Sequence, residues 1–69
     1  MKTTRVNEET ENGNYVIELF NESTNKWEYI TTEYNVSVAT MVMVNIHNAT
    51  KRKARVLSRR SKNVILSEV

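Results

Sequence analysis

The feature that most restricts this chain is the absence of cysteine from a sequence of only 69 residues. Without disulfides or thiolate zinc sites, a domain this small must be held together by packing or by self-association. A chain of this length buries only about 60% of its unfolded surface, so it supports one core and one domain. The absence of cysteine also fits a reducing compartment.

The first residues differ in character from the rest of the chain. Residues 1–13 are polar and acidic, show no periodicity, and end at the only glycine, Gly13. They predict a flexible acidic N-terminal arm, followed by a single small α+β domain over residues 14–69. No stretch reaches the roughly 18 apolar residues of a membrane span, and residues 1–5 lack the apolar segment of a signal peptide. We therefore expect a cytoplasmic protein.

Two segments typical of β-strands flank a turn in the first half. Residues 15–20 (YVIELF) and 27–32 (WEYITT) are rich in aromatic and β-branched residues, and residues 21–26 (NESTNK) have turn composition. They predict a β-hairpin. Pairing odd with odd positions gives one uniformly apolar face, which we expect to be buried, with Trp27 as its largest residue. That face would hold Tyr15, Ile17, Leu19, Trp27 and Tyr29. The opposite face would hold Val16, Glu18, Phe20, Glu28 and Ile30.

Residues 35–50 (NVSVATMVMVNIHNAT) match both a strand and a helix pattern. Five valine and isoleucine residues alternate as in a strand, but a helical pattern places seven of the nine apolar residues on one face. Length favours a helix, Asn35 is a suitable N-cap, and residues 51–53 place cations at the helix C-terminus. We predict a helix over residues 36–49. Its apolar face would hold Val36, Val38, Ala39, Val42, Met43, Ile46 and Ala49.

A second hairpin is predicted at the C-terminus, where residues 54–58 and 64–67 flank a polar turn at residues 59–63. The order is then hairpin, helix, hairpin (ββαββ). The simplest architecture is a two-layer α+β domain, a four-stranded antiparallel sheet with the helix packed on one face. Alternation puts Ala54, Val56, Ser58, Val64 and Leu66 on one face of this hairpin. It puts Arg55, Leu57, Arg59, Ile65 and Ser67 on the other.

The residues needed for catalysis are scarce. The chain has one histidine, His47, no cysteine and no aspartate. Catalysis requires convergent titratable groups, and metal binding requires several ligands. A phosphate-binding loop would require more than one glycine. We therefore expect no enzyme activity, no metal site and no cofactor, with His47 in solvent near the helix end.

The charges are divided unequally along the chain. Residues 1–50 contain three cations and seven glutamates, whereas residues 51–69 contain seven cations and one glutamate. The cations of the second segment are Lys51, Arg52, Lys53, Arg55, Arg59, Arg60 and Lys62. This asymmetry indicates either an acidic partner for the basic segment or a fold that places the acidic half beside it.

The predicted register places Arg55 and Arg59 on the sheet face opposite the helix, with Arg60 and Lys62 at the hairpin tip and residues 51–53 at its base. The same face would hold Phe20, Ile30, Leu57 and Ile65. We favour an acidic protein as the partner of this surface. Nucleic acid is the alternative, because arginine binds phosphate and bases stack on aromatic rings. A structural homodimer is a second alternative, since this face carries many apolar residues. The cations would otherwise only solubilise a sheet edge.

The chain combines a cysteine-free predicted α+β domain, an acidic first half and a basic final hairpin, KARVLSRRSKNVILSEV. This layout resembles that of small accessory proteins through which tailed bacteriophages interact with their host. The resemblance implies a phage-encoded modulator or inhibitor of a host protein involved in nucleic-acid metabolism, acting in the host cytoplasm. It includes no motif from which site residues carry over.

Overall fold

The computed structural model describes residues 14–61 and 64–69. The elements are β1 (Tyr15–Asn21), β2 (Lys26–Glu33), α1 (Val36–Thr50), β3 (Ala54–Ser58) and β4 (Val64–Glu68). The strands form one antiparallel sheet in the order β2-β1-β3-β4, and α1 packs on one face of it, mainly over β1 and β3. The predicted ββαββ order and α+β class are confirmed. The predicted N-terminal arm lies outside the described residues.

The first hairpin is closed by a four-residue turn between paired Asn21 and Lys26. The side-chain oxygen of Asn21 accepts hydrogen bonds from the backbone N–H groups of Ser23 at 2.9 Å and Thr24 at 3.3 Å. Asn25 adopts a left-handed conformation with φ of 61°, which asparagine tolerates better than most residues. Because this turn has an even number of residues, it pairs odd positions with even ones.

The predicted register of this hairpin is therefore wrong near the turn. Phe20 pairs with Trp27, so Trp27 and Tyr29 lie on the sheet face opposite α1 and are not part of the core. A β-bulge in β2 leaves Ile30 without a partner in β1. On the other side of the bulge, residues 15–17 pair odd with odd and even with even, as predicted. One extra residue exchanges the faces of all positions beyond it, which composition does not reveal.

The core lies between α1 and the two central strands. It consists of the buried residues Ile17, Leu19, Ala39, Met43, Ala54 and Val56, with Tyr15, Val42, Val44 and Ile46 packed around them. The predicted apolar face of the helix is correct at its centre. At the ends of the helix, Val36, Val38 and Ala49 are also predicted on this face, but they are exposed and lie outside the core cluster.

The second hairpin contains a bulge of its own. Val56 pairs with Ser67 and Leu57 with Ile65, which leaves Leu66 without a partner in the ladder. The prediction that Leu66 shares a face with Val56 is therefore wrong, because Ser67 occupies that position. Leu57, expected at the surface, is only 5% exposed, since it lies on a central strand between Val16 of β1 and Ile65 of β4.

Both ends of α1 are capped. The side chain of Asn35 accepts the N–H groups of Ser37 at 2.7 Å and Val38 at 3.2 Å, as expected of an N-cap. At the other end, Lys51 is left-handed with φ of 61°, and its N–H donates to the carbonyl of His47 at 2.7 Å. His47 is half-buried rather than fully solvated, because its Nδ1 donates to the carbonyl of Arg52 at 2.8 Å.

Replacing Asn35 with alanine removes the side-chain acceptor for two helix N–H groups. We expect the free energy of unfolding to fall by about 1 kcal/mol, measured by urea denaturation followed by circular dichroism. The matched control is Asn45→Ala, in the exposed middle of the same helix, where alanine improves helix propensity and stability should not fall. Equal losses in the two variants would contradict a capping role for Asn35.

Candidate binding surface

The sheet face opposite α1 is not covered by any other element that the structure describes, and we call it the open face. It carries Val16, Glu18, Phe20, Trp27, Tyr29, Thr32, Arg55, Leu57 and Ile65. The face contains aromatic and charged groups from three adjacent strands. A shallow cavity of about 290 Å³ lies on it, lined by Val16, Tyr29, Thr32 and Arg59.

Arg55 lies at the centre of this face and is already engaged within the chain. Its Nε and Nη2 atoms lie 2.8 and 2.7 Å from Oε1 of Glu18, directly across the β1–β3 pair. The guanidinium carbon lies 4.0 Å from the ring centroid of Trp27. Both charged side chains are about one-fifth exposed, so their attraction is less screened than that of a surface ion pair. Glu18 therefore neutralises Arg55.

The aromatic residues Phe20 and Trp27 pack against each other beside this ion pair. Their ring centroids are 5.2 Å apart with an interplanar angle of 61°, an edge-to-face arrangement. The Nζ atom of Lys53 lies 5.3 Å from the centroid of the Phe20 ring. A cation of the same chain thus lies over each ring, Arg55 over Trp27 and Lys53 over Phe20.

Arg52 is also held by groups of the acidic half. Its Nε donates to the carbonyl of Phe20 at 2.8 Å, and its Nη2 lies 3.5 Å from Oε1 of Glu28. Asn21 donates to the other oxygen of Glu28 at 2.8 Å. These contacts connect the loop after α1 to the first hairpin. Two of the seven predicted partner-binding cations, Arg52 and Arg55, are therefore paired with glutamates of the same chain.

Three other cations are exposed and form no ion pair with a carboxylate in the described part of the chain: Lys51, Lys53 and Arg60. Lys51 and Lys53 precede β3, and Arg60 follows it with the exposed Arg59. A five-residue strand spans about 17 Å, so these cations form two separate groups. We call Lys51 and Lys53, next to the C-terminus of α1, the near basic end, and Arg60, beyond the other end of β3, the far basic end. Lys62 lies outside the described residues.

The apolar members of the predicted interface are also separated by the fold. Phe20 is half-buried on the open face, whereas Ile30 is 41% exposed at the bulge of the edge strand β2. Leu57, being buried, has almost no surface to offer a partner. These three residues do not form one exposed apolar cluster.

Sequence reasoning placed Ile65 of β4 on the face opposite the helix but missed the exposure of Val64 and Leu66, which it placed on the helix-facing side. The first three residues of β4, Val64, Ile65 and Leu66, are 52%, 48% and 44% exposed, because β4 is an edge strand on which α1 does not pack closely. The available signal was the uninterrupted apolar run VIL after a basic turn. Such a run fits a strand that is apolar on both faces, whereas a strand with one face in water alternates.

The described residues contain no group of three histidine, aspartate or glutamate side chains placed to hold a metal ion. No helix within residues 14–61 and 64–69 is long and apolar enough to cross a membrane. When compared with protein-family models, with curated proteins and with solved structures, the chain gives no match.

Proposed function

We propose that this chain is a small non-catalytic binding domain that docks onto an acidic protein through its two basic ends. The observation that carries the proposal is the incomplete neutralisation of the basic segment. Glu28 and Glu18 pair with Arg52 and Arg55, whereas the near and far basic ends remain exposed without such partners among the described residues. Exposed cations that no carboxylate of the same chain neutralises attract acidic surfaces and raise association rates.

The contacts on the open face favour a protein over nucleic acid. Single strands bind by stacking bases on exposed aromatic rings, but Arg55 and Lys53 lie over the rings of Trp27 and Phe20. Glu18 also pairs with Arg55 on this face, so the Arg55 guanidinium is not free to bind a phosphate group. An acidic protein needs only cations at suitable positions, which the two basic ends supply.

The resemblance to phage accessory proteins adds a more specific form of this proposal. In that form the partner is a host protein involved in nucleic-acid metabolism, which the chain modulates or inhibits in the host cytoplasm. The separation of the cations into two groups supports a partner that presents acidic groups at matching positions.

Charge reversal at either basic end tests the proposal. With fluorescent poly-L-glutamate as the acidic probe, we expect Lys53→Glu and Arg60→Glu each to weaken binding about fivefold, because each replaces an attraction with a repulsion. The measurement is fluorescence anisotropy at low and at physiological salt. Asn45→Glu, at an exposed position in the middle of α1 and away from both basic ends, also adds a carboxylate and should leave affinity nearly unchanged. Equal losses in all three variants would contradict a localised surface.

Random single-stranded and duplex oligonucleotides separate the nucleic-acid alternative from the proposed one. We expect them to bind more weakly than poly-L-glutamate at every salt concentration. Binding of both polyanions weakens as salt rises, so the order of the affinities decides between them. A nucleic-acid-binding domain would bind the oligonucleotides more tightly, with log affinity falling by about 0.9 per log salt for each duplex phosphate contacted. Tighter binding to oligonucleotides with such a slope would replace the protein partner with nucleic acid.

A further inference from the structure

The edge strand β4 presents an apolar surface with a free side. It is the last strand of the order β2-β1-β3-β4, so only β3 pairs with it among the described elements. Val64, Ile65 and Leu66 are each about half exposed, and Val69 after the strand is also exposed. A strand edge with several exposed apolar side chains and little charge is a template for pairing with another chain.

The hydrogen-bond pattern identifies backbone groups on the free side of β4. Ala54 and Val69 exchange both backbone hydrogen bonds, at 3.2 and 2.9 Å, which extends the ladder one residue beyond the strand. In an antiparallel pair the hydrogen-bonded positions alternate, so the N–H and C=O groups of Glu68 point away from β3. An added strand would satisfy them.

The opposite edge of the sheet lacks these properties. Strand β2 carries Lys26, Glu28 and Glu33 along its length, and its bulge at Ile30 interrupts a regular edge. Charges and bulges are the usual means by which proteins prevent pairing at an edge. Strand β4 also has a bulge, at Leu66, but it contains only one charged residue, Glu68. Of the two edges, β4 is the one suited to accept a strand.

The charges around β4 decide between two occupants. Because β4 runs antiparallel to β3, Val64 lies toward the far basic end and Val69 toward the near basic end. A second copy paired antiparallel through β4 would place the near basic end of one chain beside the far basic end of the other. Parallel pairing would place equal ends together. Either arrangement brings cations together, whereas an acidic strand neutralises both ends.

We propose that β4 is the docking edge for an extended acidic segment of the protein partner, which adds to the sheet as a fifth strand. Backbone hydrogen bonds to β4 would hold this segment, and its alternate apolar side chains would contact Ile65 and Leu66. Carboxylates at its two ends would meet Lys53 and Arg60. This inference rests on the proposed function, since it specifies how an acidic protein would bind.

A set of three blocked peptides of about eight residues tests this edge, that length being enough to span β4 and both basic ends. The first has glutamates at both ends and alternating valine and threonine between them. The second has lysines in place of the glutamates. The third keeps the glutamates but is N-methylated at every inner residue, so that it cannot donate backbone hydrogen bonds from either edge. We expect only the first to bind, with the other two weaker by about tenfold or more.

The binding site is located by NMR spectroscopy, from the backbone amide signals of the isotope-labelled chain in solution. The first peptide should shift the amides of β4 and slow hydrogen exchange at Glu68, whose N–H gains an acceptor. Leu66→Glu should weaken binding by about tenfold, because it adds a repulsive carboxylate and removes an apolar contact. Met41→Glu makes the same charge change at an exposed position of α1 and should bind as the original chain does.

The outcomes separate failure of this inference from failure of the proposed function. If the methylated peptide binds as tightly as the unmethylated one, or if the shifts lie on the open face, the acidic partner stands but strand addition at β4 is wrong. If neither glutamate peptide binds and poly-L-glutamate does not bind either, the proposed function itself is wrong. If the chain dimerises through β4, shown by concentration-dependent sedimentation that Leu66→Glu abolishes, a second copy replaces the acidic segment.

Discussion

Replacing Ile17 with alanine is expected to lower the free energy of unfolding by about 3 to 4 kcal/mol, the cost of a cavity in a packed core. Ile17 is fully buried on the central strand β1, opposite Val56 of β3 and beneath α1. A domain of this length has only about 3 to 10 kcal/mol of stability in total. The substitution therefore removes a large share of it, and a substantial unfolded population should form on mild warming.

The matched control is the neighbouring residue of the same strand. Val16 is half-buried on the open face, so Val16→Ala should cost no more than about 1 kcal/mol. Both variants can be compared by urea denaturation, with the far-ultraviolet circular dichroism signal as the measure of folded protein. A loss at Val16 equal to that at Ile17 would mean that the core does not lie on the helix-facing side of β1.

Local patterns were sufficient to predict every element of this fold. The turn composition around Asn21, the N-cap at Asn35 and the helical spacing of Ala39 and Met43 each act over a few residues. These signals are present in the sequence itself. They give the order of strands and helix, and packing one apolar helix face on one sheet then leaves few architectures.

The register of the two hairpins was not predictable from the same patterns. Each hairpin contains a bulge, at Ile30 in the first and Leu66 in the second, and each bulge exchanges the faces of the residues beyond it. Isoleucine and leucine have no property that marks a bulge. For this reason the sequence pattern predicts Trp27, the largest apolar residue, in the core, although it lies on the open face.

The candidate site was predictable only as a set of charges. Counting cations identifies Lys51 to Lys62 as the basic segment, but the pairing of Arg55 with Glu18 depends on β1 and β3 lying side by side. That contact joins residues far apart in sequence, as does the contact of Arg52 with Glu28. The strand order decides which cations remain exposed, and no local pattern encodes the strand order.

The second large effect is expected at Arg55, whose removal leaves the Glu18 carboxylate without its partner. Arg55→Ala should lower the free energy of unfolding by about 2 to 3 kcal/mol, because a partly buried carboxylate loses charged hydrogen bonds and Trp27 loses its cation–π contact. Urea denaturation measures the loss. Trp27 is the only tryptophan, so its fluorescence should also shift to longer wavelength as the ring gains solvent.

A double-mutant cycle separates the ion pair from the stacking contact. Glu18→Gln alone, Arg55→Ala alone and the double variant should give a coupling energy of about 1 to 2 kcal/mol, as expected for a partly buried charged pair. Arg60→Ala is the control, because Arg60 is exposed at the far basic end and its loss should leave stability nearly unchanged. A stability loss at Arg60 as large as that at Arg55 would mean that the two arginines do not differ in role. With the expected difference, Arg55 stabilises the sheet, and only the exposed cations at the two ends of β3 remain for the proposed docking onto an acidic protein.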